Sequence, residues 1–502
     1  MDIKAELISL LSNIGTGKMS GSAYDTAWIA QLGEIDRELS NQALDCLVED
    51  QLPDGSWGAE KPFYYHDRVV NTLASMLALT RHGRRALDKR AINAGIKALE
   101  QITSTATRGL KADHNGATVG FEMIVPTLVE EAEQLGIISQ QRDRILGRLG
   151  RSRIKKIEML KGSRISRNLT FAFSSEMAGL DGQNILDIDN LQENNGSVGN
   201  SPSATAYFAL HVKPADTKAM AYLRSISTGG GVPFAAPFDI FERAWVLWNL
   251  SLLEPEKLDE EILACCKPHL DFLESSWKRG SGVGFSASYT PCDGDDTGVT
   301  FDTLVQFGRN LDIETLLSFE EKNHFLCYPL EANASISTNI HILGALKNGG
   351  LERNNPSIQK VLKFLRMSQI SGKYWFDKWH VSPYYPTSHA IIACQGLDNE
   401  MCSGPISYIL ETQNEDGSWG YSDVPTAEET AYCLQALIYW QTYNGQVSQK
   451  PIKNGINWLN EHAVDPYLPL WIGKGLYCPQ YIVCSAILSA LGMALQETGG
   501  KV

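Results

Sequence analysis

The chain has 502 residues, 43% hydrophobic and 20% charged, with a formal net charge of −14 at pH 7. That balance leaves room for two or three packed domains and excludes a disordered chain. The negative charge removes bulk electrostatic support for a nucleic-acid partner, so a phosphate-bearing ligand needs a local basic pocket or a metal.

The opening stretch, MDIKAELISLLSNIG, reads as an amphipathic helix without the uninterrupted apolar core of a signal peptide. Helical spacing of apolar residues follows in VVNTLASMLALTRHG (69–83), AINAGIKALEQI (91–102), CCKPHLDFLESSW (265–277), IQKVLKFLRM (358–367) and ETAYCLQALIYW (429–440). Strand-like alternation is scarce, and Gly- and Pro-containing turns punctuate these segments. An all-α array of helical hairpins is expected. No apolar run approaches the ~18 residues of a membrane span. The ten cysteines are scattered, with no CxxC pair and no metal-ligand spacing. A cytoplasmic protein without stable membrane insertion is the expectation.

One motif repeats. QLPDGSWG at 51–58 returns as QNEDGSWG at 413–420, with a weaker echo, QENNGSVG, at 192–199. Asp-Gly supplies a tight turn, Ser a local hydrogen bond, and Trp a cap over the neighbouring helix pair. Its return in distant parts of the chain predicts helix pairs repeated in two related domains.

From Thr290 the chain reads TPCDGDDTGVTFDTL, which crowds Asp293, Asp295 and Asp296 ahead of an apolar run. A solvated turn, a metal site and an acid that keeps its proton at neutral pH all fit that cluster. GSGVGF, 280–285, is Gly-rich but lacks the strand–loop–helix context of a nucleotide site.

The Gln–Trp turns are similar to those of the α-barrel triterpene and diterpene cyclases, and Asp293-Gly294-Asp295-Asp296 resembles the DxDD motif of the class II, diphosphate-retaining members. SAYDTAW (22–28), HDRVVNTLA (66–74), VGFEMIVPTL (119–128), SPSATAYFAL (201–210), GGGVPFAAPFDIFERAW (229–245) and PLWIGKGLY (469–477) look like further family landmarks in order. The nearest resemblance is to bacterial halimadienyl, kolavenyl and copalyl diphosphate synthases. It implies two α-barrel domains, β and γ, with γ inserted into β: residues 1–20 as the first β helix, 21–215 as γ, and 216–502 as the part of β that carries DxDD. The active site is then expected between them.

The resemblance also implies residue roles. Asp295 is the general acid, and Asp293 and Asp296 tune or orient it; burial and like charge both raise a carboxyl pKa, the condition an alkene-protonating acid needs. His341, in STNIHILGAL, is expected to hydrogen-bond Asp295 and help it regain its proton. Lys155 and Lys474 are expected at the diphosphate, and Glu122 at a Mg²⁺ ion that bridges carboxylate and diphosphate. Phe173, Phe234, Phe285 and Trp245 are candidates for steadying carbocations by cation–π attraction. The expected substrate is geranylgeranyl diphosphate.

One departure bears on the product. Phe173 and Phe234 align where plant synthases of ent-copalyl diphosphate place a His and an Asn that order the terminating water. Hydride and methyl shifts to a kolavenyl (clerodane) or halimadienyl skeleton are therefore expected. The alternatives are copalyl diphosphate or another prenylated substrate. Metal-triggered ionisation of the diphosphate is disfavoured, since DDTGV lacks the third aspartate of DDxxD. A non-enzymatic helical-repeat scaffold would account for the repeats but not for the acid cluster. A diphosphate product implies a downstream diterpene synthase or phosphatase.

Overall fold

The computed structural model describes residues 2–502 except 16, 105–112, 114, 139–144, 148, 170–174, 180–181, 332, 423, 446 and 465. Among the described residues the one named sheet is an antiparallel hairpin, Trp471–Ile472 with Leu476–Tyr477. The rest of the regular structure is helical.

Helices Asp239–Ser251, Gly294–Gln306, Ile336–Asn348, Tyr384–Cys394, Ala427–Asn444 and Gln480–Glu497 each pack on the next, and the last returns to the first. The ring is closed. Its members are apolar around most of their circumference; every residue of Tyr384–Cys394 is buried, as a helix enclosed by neighbours requires. Helices Glu260–Ser276, Pro356–Ser368, Asn399–Glu411 and Gln449–His462 cover the outside. These are amphipathic: Ile358, Val361, Leu362 and Leu365 are buried at i, i+3, i+4 and i+7. Outer helices return the chain between inner ones, so the inner helices run the same way. Their first turns surround one end of the barrel and their last turns the other.

Helix Ile3–Asn13 packs on Gln480–Glu497 and Glu260–Ser276, and its Leu7, Leu10 and Leu11 join the core of this ring. A second core runs from Tyr24 to Val232. There Ala23–Ala30, Tyr65–His82, Phe121–Gln134 and Pro202–Tyr207 lie inside, covered by Arg37–Glu49, Ala86–Ser104, Leu149–Met159 and Thr217–Ile226. The smaller α-barrel is thus inserted after the first helix of the larger one. The expected break at 215/216 falls inside this second core. Ala219, Met220, Leu223 and Val232 belong to it, because Thr217–Ile226 covers Pro202–Tyr207. The break therefore follows Val232.

The repeated turns share one bonding scheme. Trp57 Nε1 donates to Leu47 O (2.6 Å) and Trp419 Nε1 to Ile409 O (2.8 Å); each indole thereby satisfies a carbonyl in the last turn of the preceding outer helix. Gln51 and Gln413 each donate to the turn and to the start of the following outer helix. Gly417 sits at φ +96°, and a Cβ there would lie 2.6 Å from Asn454 O, so only glycine fits. The echo at 192–199 keeps the Gln192 and Ser197 bonds. A further copy, Gln369 to Trp375, is not evident along the chain because only Gln and Trp hold their places, with Gly372 one position early; Trp375 Nε1 donates to Leu365 O at 2.8 Å.

Candidate active site

The acid cluster opens an inner helix. Asp293 is the N-cap of Gly294–Gln306, and its Oδ1 accepts from Asp295 N (3.0 Å) and Asp296 N (2.8 Å). Tyr328 donates its hydroxyl to Asp293 Oδ2 at 3.2 Å. Gly294 lets the loop at Leu326 close over this turn, since a Cβ would lie 2.1 Å from Leu326 O. Capping by Asp293 points Asp295 and Asp296 out of the first turn.

All three aspartates are buried. The backbone donors and the positive helix end favour a carboxylate at Asp293, but burial outweighs them and pushes its pKa up to about 7. Asp296 is held well above the usual carboxyl range, first by burial and then by the charge of Asp293. Its Oδ1 has no hydrogen-bond partner. Asp293 is thus built to carry the charge of the pair and Asp296 the proton.

Asp295 takes a different partner. His341 Nδ1 lies 2.6 Å from Asp295 Oδ1, and His341 Nε2 lies 2.9 Å from Nδ1 of His389. His389 carries no sequence signal; it is a single histidine in the apolar stretch SHAIIAC. Burial, and then His341, hold its pKa well below the ordinary histidine value. Trp245 meets His341 edge-on at 5.6 Å, and its indole N–H donates to Tyr385 OH at 3.1 Å.

The three aspartates sit on the wall of a cavity at the first-turn end of the large barrel. The rest of the wall is mostly aromatic. Phe234, Phe285 and Trp245 line it, joined by Phe241, Tyr385 and Trp471, which the sequence reading had not singled out. Phe234 stacks on Tyr477, with centroids 5.3 Å apart. Phe173 lies outside the described residues.

Tyr328 and Trp379 also line a second, polar cavity, contributed by both barrels, that holds Glu122, Lys156, Glu331 and Lys378. Glu122 is ion-paired with Lys156, and Lys378 with Glu331. Lys155 is exposed on the helix Leu149–Met159, and the lysine that reaches Glu122 is its neighbour Lys156. The helical turn decides this: one step along the helix rotates a side chain by about 100°.

Lys474 lines neither cavity. It is fully buried beneath the hairpin, and its Nζ donates to Glu176 Oε1 (2.6 Å), Ser201 Oγ (2.8 Å) and Ser203 Oγ (2.7 Å). These contacts make Lys474 part of an ion pair that ties the hairpin to the smaller barrel, and the expected diphosphate contact is left to experiment.

Among the described residues, no group of three or more His, Cys, Asp or Glu side chains converges on a metal position. Glu122 and Glu331 are nonetheless two carboxylates on the polar cavity, a donor set that suits a Mg²⁺ ion completed by phosphate oxygens. No helix among the described residues is long and apolar enough to cross a membrane.

Comparison with known proteins gives three findings. Residues 330–466 match the family of the squalene-hopene cyclase C-terminal domain. The chain is 49% identical to a type B diterpene cyclase of Mycobacterium tuberculosis, across 95% of this chain and 96% of that protein. The solved structure of ent-copalyl diphosphate synthase from Streptomyces platensis superposes with a TM-score of 0.79 at 27% identity, covering 98% of each chain.

Proposed function

We propose a reaction from one premise: the chain belongs to the class II diterpene cyclases. These enzymes are intramolecular isomerases or lyases. The reading is that this chain protonates geranylgeranyl diphosphate, closes two rings and keeps the diphosphate. The observation that carries it is that two neighbouring cavities share lining residues. A buried acid cluster faces an aromatic chamber, and that chamber shares Tyr328 and Trp379 with a polar chamber lined by Lys156 and Lys378. A long apolar chain with a charged head would fill both.

In this reading Asp295 gives a proton to the distal alkene, and the π electrons form the new C–H bond. The cation is then captured by the next alkenes in turn, which forms two C–C bonds. Asp295 is the donor because it reaches the cavity while His341 orients it. Asp293 fixes the turn, and the Asp296 proton spares Asp295 a second neighbouring charge. Phe234, Phe241, Trp245 and Phe285 offer π faces to the migrating cation. Lys156 and Lys378 hold the diphosphate, with Glu122 and Glu331 the residues that would hold Mg²⁺. When bound, the ion supplies charge neutralisation at the diphosphate.

We favour a rearranged halimadane or clerodane diphosphate over copalyl diphosphate. Phe234 puts an apolar ring where an ordered water would otherwise end the reaction early, so 1,2-shifts have time to compete. Removal of a proton then ends the sequence, and a downstream diterpene synthase or phosphatase would take the product.

The test is incubation with geranylgeranyl diphosphate and Mg²⁺, followed by phosphatase treatment and NMR of the alcohol. A cyclic alcohol that appears only after phosphatase supports the reading. Unchanged linear alcohol or released pyrophosphate overturns it, and a copalyl skeleton overturns the rearrangement alone.

A further inference from the structure

We propose that His389 is the intake step of a proton relay that recharges Asp295, through His341, from a third cavity at the last-turn end of the large barrel. The inference rests on the acid role of Asp295 above. An acid that protonates its substrate inside a dry aromatic chamber is left as a carboxylate after each turnover. Isomerisation returns a proton elsewhere, at the atom that loses it, so Asp295 needs its own supply.

Geometry points to one route. His341 and His389 connect Asp295 to the far end of the barrel by contacts of 2.6 and 2.9 Å. Both histidines line a cavity formed by the last turns of the inner helices, where Asn348, Ala393 and Tyr443 also lie. His389 is only 2% exposed, and its Nε2 has no hydrogen-bond partner. Trp248, Tyr385 and Tyr432 pack around its ring. A buried ring nitrogen without a partner is uncommon, and this one ends a hydrogen-bonded chain that starts at the acid.

The surroundings favour delivery of a cation. Inner helices present the negative ends of their dipoles to this cavity. Its carboxyl groups, Glu254, Glu256, Asp302 and Glu497, outnumber its cations, Lys257 and Lys347. Burial holds His389 neutral at rest, so it passes a proton on rather than storing it.

The step balances as follows. Hydronium from the cavity protonates His389 Nε2 and leaves as water. His389 passes its Nδ1 proton to His341 Nε2, and His341 passes its Nδ1 proton to Asp295 Oδ1. Both rings exchange tautomers, and a turn of the imidazoles restores them. One proton enters and one carboxylate becomes a carboxylic acid.

A structural role and a relay predict different kinetics for His389→Gln. The first turnover uses a proton already on Asp295, so its rate should stay within about threefold of the wild type. Later turnovers need the relay, and the steady-state rate should fall about tenfold or more, within the range of proton-transfer catalysis. Rapid-quench assays with labelled geranylgeranyl diphosphate separate the two phases, and Thr442→Trp, which narrows the third cavity and leaves both histidines in place, should reproduce the split. Equal loss of both phases in the two variants, or an unchanged steady state, would overturn the relay. A wild-type enzyme that fails to cyclise this substrate would instead count against the proposed function.

Discussion

Three aspartates within four residues have three different sets of partners. Asp293 is committed to backbone N–H groups, Asp296 leaves an oxygen unpaired, and Asp295 alone bonds to a histidine. Asp295→Asn keeps the size and loses the acidic proton, so product formation should fall by at least ~10²–10⁴. Affinity for the substrate, measured by calorimetry, should change little, because the cationic residues of the polar cavity are untouched. Turnover near the wild-type rate would remove Asp295 from the reaction. The pair beside it makes a second prediction. Asp293 rises from the ordinary value of ~3.9 to about 7, and Asp296 rises in the same direction. A raised folded-state pKa means that the folded protein holds more protons than the unfolded chain. The stability these groups contribute is complete below pH ~4 and declines as the pH climbs toward 7. His389 acts in the opposite sense, since its depressed pKa costs stability below pH ~6.5. Comparing thermal melts of the wild type and Asp296→Asn cancels that contribution. The advantage of the wild type should shrink between pH 4 and 7; a constant difference would contradict the assigned protonation.

At the scale of the element, the barrels are held by turns whose chemistry is local. Trp419 buries its ring completely and satisfies the Ile409 carbonyl. Trp419→Phe keeps most of the apolar contact and leaves that carbonyl without a donor, a loss of about 1–3 kcal/mol. Trp419→Ala adds a cavity and should lose about 3–5 kcal/mol. Urea unfolding would measure both, and equal losses would show that the hydrogen bond contributes nothing. The equivalent changes at Trp57 should have similar size, because that indole makes the same bond in the smaller barrel. Such turns were legible in the sequence, since Gln, Gly, Ser and Trp act on atoms within a dozen or so residues or on the next helix. The copy that ends at Trp375 was not legible: its intervening residues differ, and only the ring position shows their equivalence.

For the whole molecule, the joint between barrels depends on a buried ion pair. Lys474 in the larger domain and Glu176 in the smaller are both buried, and Tyr24 donates its hydroxyl to the same Glu176 oxygen at 3.0 Å. Lys474→Met strands the Glu176 charge and should destabilise the fold by about 3–5 kcal/mol. Adding Glu176→Leu removes the stranded charge and should recover most of that loss. The double variant also distinguishes a pin from a substrate contact. Its KM should stay close to that of the wild type if Lys474 serves the joint, whereas a large rise would return Lys474 to the diphosphate.

The insertion of one barrel into another was implied by the family resemblance, whereas helix class, the repeated turns and the acid cluster could all be read along the chain. Each depends on neighbours: the apolar period within a helix, the residues of one turn, or the carboxylates of one N-cap. Register on the helix that carries Lys155 could not be settled that way, because adjacent lysines differ only in the direction they face. His389 and Glu176 were invisible for a related reason. Their partners lie 48 and 298 residues away, and nothing in the intervening chain specifies the meeting. Closure of the ring brings His389 to His341, and docking of the barrels brings Glu176 to Lys474. A buried polar group must find a partner inside low-dielectric space, and which partner it finds depends on the path of the whole backbone.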